Sequence, residues 1–300
     1  MVVRDTRHVL DRQNWLEPTS DVVQRAVTRT LTRTPRQRLV DSFLNGTWAG
    51  HPLHPIVTDI PVGAWTMAAL FDAIGTGNRR QRFAPAADVC IVAGLLGAVG
   101  SAVTGLAQWQ YTDAESRREG MAHALLNTGA TMLYGASALL RARGQRGAGK
   151  VFAALGFGVV IVSSYLGGDL VYNYRVGVNH APGQQLPETW VPVAAEADLA
   201  EGEAKALDVG DVRMMLVRHN GSIYAMAREC SHLGGPLEEG QFANGCVTCP
   251  WHASIFSLED GRVIAGPATF PQPVYESRVR NGQIEVRAQR ETLEPVFGPE

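Results

Sequence analysis

Val89–Ala107 runs for nineteen residues without a charged side chain. Met121–Leu140 adds twenty in which only His123 can titrate, and Val151–Gly168 eighteen more before Asp169. Each window is long enough, as a helix, to cross roughly 30 Å of hydrocarbon. A fourth window, Ile56–Gly75, is interrupted by Asp59, Pro61 and Asp72 and reads as weaker. A soluble protein can bury one such helix, but three in succession joined by short Arg-rich loops point to lipid. We expect an α-helical transmembrane bundle of four helices over residues 47–177.

In the second of these helices Ala93, Gly97, Ser101 and Gly105 recur every four residues. They set small side chains along one face, where helix backbones can approach closely. Trp109, Tyr111, Tyr165, Tyr172 and Tyr174 fall near the expected helix ends and suit the membrane–water boundary. Residues 1–46 form a basic tail. Its arginines, spaced through Val22–Leu44 among Val, Leu and Phe, fit either an amphipathic surface helix or a partly ordered tail with one short helix. Residues 1–50 hold eight arginines and no continuous apolar stretch, so no secretory signal is expected.

The composition changes after Pro187. Residues 178–189 are Gly/Pro-rich and read as a linker to a soluble domain at 190–288, with a short tail at 289–300. Alternating segments suggest strands at Trp190–Val193, Ala204–Val209, Val212–Arg218, Ile223–Met226, Thr269–Arg280 and Ile284–Arg287. Asn220-Gly221 and Asn281-Gly282 are hairpin signals between adjacent strands. Short strands with tight turns indicate a small antiparallel all-β domain. The formal net charge is −2, and no Lys/Arg cluster with interleaved aromatics appears, so nucleic acid is not an expected partner.

Two segments carry the chemistry of this domain, CSHLGGP at 230–236 and CPWHAS at 249–254. Each offers one thiol and one imidazole: Cys230 with His232, then Cys249 with His252. Two Cys and two His can also bind tetrahedral zinc, but zinc pairs usually come as Cys-x-x-Cys or His-x₃-His rather than mixed within each loop. The mixed pattern closely resembles the Rieske family. That resemblance implies one [2Fe-2S] cluster, with Cys230 and Cys249 on the inner iron and His232 and His252 on the outer, redox-active iron. It also matches Gly266-Pro267-Ala268 to the family's proline loop, which places Pro267 over the cluster, and Ser254 to a hydroxyl that donates to a bridging sulfide. High-potential members add a Tyr where this chain has Phe256, and a loop-locking disulfide where it has Gly235 and Trp251. Cys246, three residues before Cys249, reads as a small buried residue of the strand Cys246–Thr248.

The run at 45–75, with His-Pro-Leu-His-Pro at 51–55, Asp59, Pro61 and Asp72, resembles a bacterial family of four-helix membrane domains. The likeness extends more loosely to GGDLVYNYRVGVNH at 167–180 and informs fold rather than activity. Four histidines accompany it: His51, His54, His123 and His180. If His51 or His54 lay opposite His123, the pair could ligate a haem b; otherwise they satisfy backbone groups at helix ends. Asp59 and Asp72 are costly at membrane depth and mark a candidate quinone-proton or ion path.

Together these features describe a membrane-anchored one-electron carrier at the cell membrane, multi-pass, exchanging with a redox protein donor or acceptor, or with quinone. Two other readings stand beside it: a redox or iron sensor coupled to the bundle, and a ferredoxin component serving a separate oxygenase. A complete oxygenase needs a further mononuclear iron site, which the sequence does not offer. The positive-inside count changes sign with the N-terminal tail; with the tail included, the Rieske domain is cytoplasmic.

Overall fold

The structure is a computed structural model describing residues 12–75, 77, 80–181 and 186–289. The start of the basic tail, Arg79 of the first connecting loop, the middle of the linker and nearly all of the C-terminal tail lie outside these residues. The chain divides into two compact units, Met1–Val178 and Asn179–Glu300.

The first unit holds six α-helices among the described residues: α1 (Leu16–Leu31), α2 (Pro35–Asn45), α3 (Leu53–Ile74), α4 (Arg80–Trp109), α5 (Ala114–Ala142) and α6 (Arg146–Tyr172). The N-terminal segment is thus two helices, not one. Thr34 caps α2 reciprocally with Gln37, Pro35 opens it, and Gly46 closes it with φ +89°. Leu16 of α1 packs with Trp109 and Met121. Buried Asp41 of α2 accepts hydrogen bonds from Tyr111 Oη at 2.6 Å, Gln110 Nε2 at 2.8 Å and Asn45 Nδ2 at 3.1 Å. Trp109 and Tyr111 are therefore committed to internal contacts rather than to a lipid boundary. Tyr172, by contrast, is exposed.

Among the described residues, three helical segments are long and apolar enough to cross a membrane: Leu53–Ile74, Arg82–Trp109 and Arg146–Tyr172. The ranking drawn from the sequence changes here. The interrupted first window qualifies, whereas α5 does not. Its polar residues His123, Asn127, Tyr134 and Ser137 lower its hydropathy, and Tyr134 and Ser137 are fully buried. The small-residue stripe of α4 meets α3: a Cβ on Gly97 would lie 2.7 Å from Ile60, and one on Gly105 2.8 Å from the His54 ring. Asp72 is held by Arg141, whose guanidinium also reaches Asp88, and Arg146 pairs with Asp88 in turn. Asp59 sits on an exposed face of α3.

The second unit is built from two antiparallel sheets. The larger has the order β1-β10-β9-β4-β3-β2, from β1 (Val191–Ala195), β2 (Ala204–Val209), β3 (Val212–His219), β4 (Ser222–Ala227), β9 (Val274–Arg280) and β10 (Gln283–Ala288). The smaller has the order β5-β6-β7-β8, from β5 (Gln241–Ala243), β6 (Cys246–Thr248), β7 (Ile255–Ser257) and β8 (Val263–Ala265). Both Asn-Gly pairs form the expected tight hairpins, with positive φ at Asn220, Gly221, Asn281 and Gly282. The strand expected from Thr269 begins only at Val274, because Pro271 and Pro273 have no N–H to give a ladder. Cys246 is half-buried and pairs opposite Ser257, while its neighbour Val247 takes the core position.

Candidate metal centre

The two Cys/His segments fold as closed loops of one design. In the first, the Cys230 N–H donates to Gly235 O and the Gly234 N–H to Cys230 O, both at 2.8 Å. In the second, the Cys249 N–H donates to Ser254 O at 2.8 Å and the Ala253 N–H to Cys249 O at 3.1 Å. Each loop turns through a left-handed residue four positions after its cysteine, Gly234 at φ +77° and Ala253 at φ +58°. This winding aims backbone N–H groups at each sulfur: those of His232 and Leu233 at Cys230, and those of Trp251 and His252 at Cys249.

The loops converge. The Cys230 and Cys249 thiols are within hydrogen-bond reach of each other. The His232 and His252 rings lie 5.1 Å apart between centroids, edge to face. Sharing a hydrogen bond, with burial, pushes the Cys230 thiol well up, while the same bond and the N–H groups of Trp251 and His252 pull Cys249 down. Burial drives His232 well below the ordinary imidazole value and His252 down to about 4. Both imidazoles are therefore neutral and able to ligate at physiological pH. Two sulfurs supported by N–H donors and two neutral imidazoles form a donor set that fits a two-iron, two-sulfide centre.

A third segment closes over the loops. Ala268 N donates to Ser254 Oγ at 3.2 Å, and a Cβ on Gly266 would lie 2.6 Å from Ser254 Cα. Buried Pro267 sits between them. Gly235 fits closely under the second loop: a Cβ there would stand 2.9 Å from Cys249 Sγ and 3.1 Å from the Trp251 ring. Phe256 is fully buried in the core that includes both cysteines.

Three further residues support the site, and one of them, Gln272, carried no local signal in the sequence. Gln272 Oε1 accepts from Ser231 N at 3.0 Å, while its amide donates to Ala227 O and Glu229 O. Ser231 Oγ donates to Phe270 O at 2.7 Å. The His180 N–H donates to Ser231 O at 3.0 Å, so this histidine belongs with the second unit rather than the helices.

Comparison with known proteins agrees with this architecture. Residues 189–276 match the model of the Rieske [2Fe-2S] domain, and residues 50–180 match that of "Predicted membrane protein (DUF2231)". The anthranilate 1,2-dioxygenase ferredoxin subunit of Burkholderia cepacia is 34% identical over 97 residues, covering 32% of this chain and 90% of that protein. The chain belongs to the Rieske [2Fe-2S] family. Apoptosis-inducing factor 3 of Mus musculus is 28% identical over 97 residues; the match covers 32% of this chain and only 16% of that protein's length. Among solved structures, the ferredoxin of carbazole 1,9a-dioxygenase from Nocardioides aromaticivorans IC177 is 32% identical, with a TM-score of 0.32 over 34% of this chain and 99% of that one. The Rieske [2Fe-2S] domain follows a helical region in which, among the described residues, three segments are long and apolar enough to span a membrane.

Proposed function

We propose that this chain is a membrane-anchored one-electron carrier. The Rieske domain, taken as residues 190–288, holds one [2Fe-2S] cluster through Cys230 and Cys249 on one iron and His232 and His252 on the other. When bound, such a cluster takes up and releases a single electron. The convergence of two closed loops, each presenting one thiol and one neutral imidazole, carries this reading. The chain's own work is to keep the imidazoles deprotonated by burial and to offset thiolate charge with backbone N–H groups. Ser254, its oxygen already accepting from Ala268, is left with its O–H to donate toward the cluster.

Exposed Trp251 lies beside His252, at 6.3 Å between ring centroids, and gives a partner redox protein an apolar landing point next to an iron ligand. The likeness to a dioxygenase ferredoxin subunit favours a separate oxygenase as one class of acceptor. The anchor is a multi-pass bundle of four helices over residues 47–177. Here α5 completes the bundle despite its lower hydropathy, because its polar residues Tyr134 and Ser137 are turned inward. Residues 178–189 link the parts, and the Rieske domain faces the cytoplasm. The bundle supplies a second redox group, a haem b or a bound quinone.

Washing membranes with carbonate and high salt tests the anchor. The full chain should stay in the pellet; release would make the helical unit peripheral. Protease cleavage within 178–189 from outside intact spheroplasts would reverse the orientation.

A further inference from the structure

The helical unit contains a repeat that no local motif reveals. His54, Trp65 and Asp72 of α3 recur 69 positions later in α5 as His123, Tyr134 and Arg141. Gly94, Ser101 and Gly105 of α4 recur 62 positions later in α6 as Gly156, Ser163 and Gly167. The contacts recur with them. Gly94 receives the Trp65 ring and Gly156 the Tyr134 ring; Gly105 receives His54 and Gly167 receives His123. Helices α3–α6 of the unit therefore form two α-hairpins, α3–α4 and α5–α6, that repeat one packing plan as a pseudo-two-fold pair would.

Equivalent residues of the two hairpins fall into tiers. Trp65 and Tyr134 stack with centroids 4.0 Å apart and planes 8° from parallel. Asp72 and Arg141 form an ion pair. The third tier is His54 and His123, near enough to interact electrostatically. The first two tiers explain themselves as packing and charge pairing. The third leaves two imidazoles within electrostatic range of one another, and a histidine pair has no comparable attraction of its own.

Both imidazoles are held in the same way. His123 Nδ1 donates to the Ser163 carbonyl at 2.8 Å. His54 is held by the carbonyl of the equivalent residue, Ser101, and its Nδ1 lies 3.3 Å from Thr104 Oγ1. An N–H committed to a carbonyl fixes the tautomer and leaves Nε2 as the basic nitrogen, the arrangement that orients metal-ligating histidines. His123 Nε2 accepts from the Asn127 amide at 3.0 Å, as a basic nitrogen does, and a ligand taken up on Nε2 would displace that amide.

Two imidazoles make a poor site for a bare ion, which needs three or four protein ligands. No cluster of three or more His, Cys, Asp or Glu occurs among the described residues. An iron porphyrin brings four nitrogens of its own and needs only two axial ligands. The two helices of each hairpin pack on one another, and the hairpins meet through the Trp65–Tyr134 stack and the Asp72–Arg141 pair, with the histidines on the same two helices. We propose that His54 and His123 are the two axial ligands of a b-type haem seated between the hairpins. The proposal deepens the electron-carrier reading and rests on it for its purpose, while the site stands on the bundle alone. His51, before α3 with Nδ1 at 2.9 Å from Pro52 O, is exposed and takes no part.

The test is to titrate the purified full chain in detergent with haemin and follow optical and EPR spectra of haem and cluster together. The expected result is a single haem with a six-coordinate low-spin spectrum. His54→Ala and His123→Ala should each weaken haem binding at least about tenfold and abolish that spectrum, with the cluster signal unchanged. His51→Ala should behave as wild type. Added imidazole should restore the low-spin spectrum to a His54→Gly variant, which separates ligand loss from misfolding. Failure of the cluster-loaded wild type to take up haemin, or a low-spin spectrum that survives both alanine substitutions, would overturn the haem site. Loss of the cluster signal with low-spin haem retained would support the haem site and count only against the electron-carrier reading.

Discussion

The four candidate ligands of the Rieske domain lie between positions 230 and 252, on two loops that repeat one hydrogen-bonding plan. In the helical unit Trp65 stacks on Tyr134 and Asp72 pairs with Arg141, and His54 lies within electrostatic range of His123; the members of each pair are 69 positions apart on different helices. Both units thus place equivalent pieces face to face. In the Rieske domain, chemistry survives in each piece: one thiol and one imidazole per loop. In the bundle the equivalent residues differ, Trp65 against Tyr134 and Asp72 against Arg141, and in those two tiers they make direct contacts. A spacing motif reports the first kind of site, and only the folded chain reports the second.

The largest effect expected from breaking this contrast is in the loops. Cys230→Ser and Cys249→Ser should each abolish cluster binding, measured as iron, acid-labile sulfide and EPR signal. Cys246→Ser should retain all three, because Cys246 sits half-buried on β6 outside the loops. A cluster that survives loss of either loop cysteine would remove the equivalence of the two loops.

Next in size is the ion-pair tier. Arg141 is nearly inaccessible, with side-chain exposure of 3%, against 12% for Asp72. Arg141→Met takes from Asp72 its closest partner, leaving Lys150 Nζ at 3.8 Å, and should cost about 3–5 kcal/mol, seen as a lower unfolding midpoint in detergent. The Rieske signal should be unchanged. A neutral outcome would mean that the tiers do not hold the hairpins together.

A smaller effect tests the fine structure of the cluster loops. The potential should fall in the lower part of the range of about −150 to +300 mV, since Phe256 has no hydroxyl to donate and Gly235 and Trp251 cannot form a disulfide. One hydrogen bond of about 1 kcal/mol favouring the reduced state corresponds to ~40 mV for one electron. Ser254→Ala should lower the potential by about that much, and Phe256→Tyr should raise it. Redox titration followed by EPR decides both.

The smallest effect concerns the helices that precede the hairpins. Burial raises the Asp41 carboxyl to about 6, although hydrogen bonds from Tyr111, Gln110 and Asn45 oppose the shift. With the folded value above the unfolded one, the native state holds its proton longer. That contribution is complete below the ordinary carboxylate value and is lost as pH rises through about 6. Hydrogen-exchange protection of α2 should therefore decline over that interval, and Asp41→Asn should flatten the dependence. An equal pH response in the variant would assign it to another group.

Much of the Rieske domain was legible because its signals are local. Alternation located the strands of the larger sheet, Asn-Gly pairs set two hairpins, and ligand spacing marked both loops. The three-residue strands β5, β7 and β8 were missed, since so short a run shows no alternation. Gln272 was invisible because its role is to bind backbone groups some forty residues away. In the bundle, apolar length located all four helices, α3 to α6; only their ranking changed, because the window read as weakest is apolar enough to span and the inward polar residues of α5 lower its hydropathy. The partner of His123 could be narrowed only to His51 or His54. Packing on Gly105 and Gly167 separates them, and that register appears only when the hairpins are seen together.

The most direct test of the whole account is an EPR spectrum of reduced, carbonate-washed membranes containing the full chain, with iron and sulfide counted per chain. A membrane-anchored Rieske carrier predicts a Rieske-type [2Fe-2S] signal that sediments with the membranes, with close to two irons and two sulfides per chain. Stoichiometric zinc in place of iron, or a cluster signal recovered only in the wash, would contradict it.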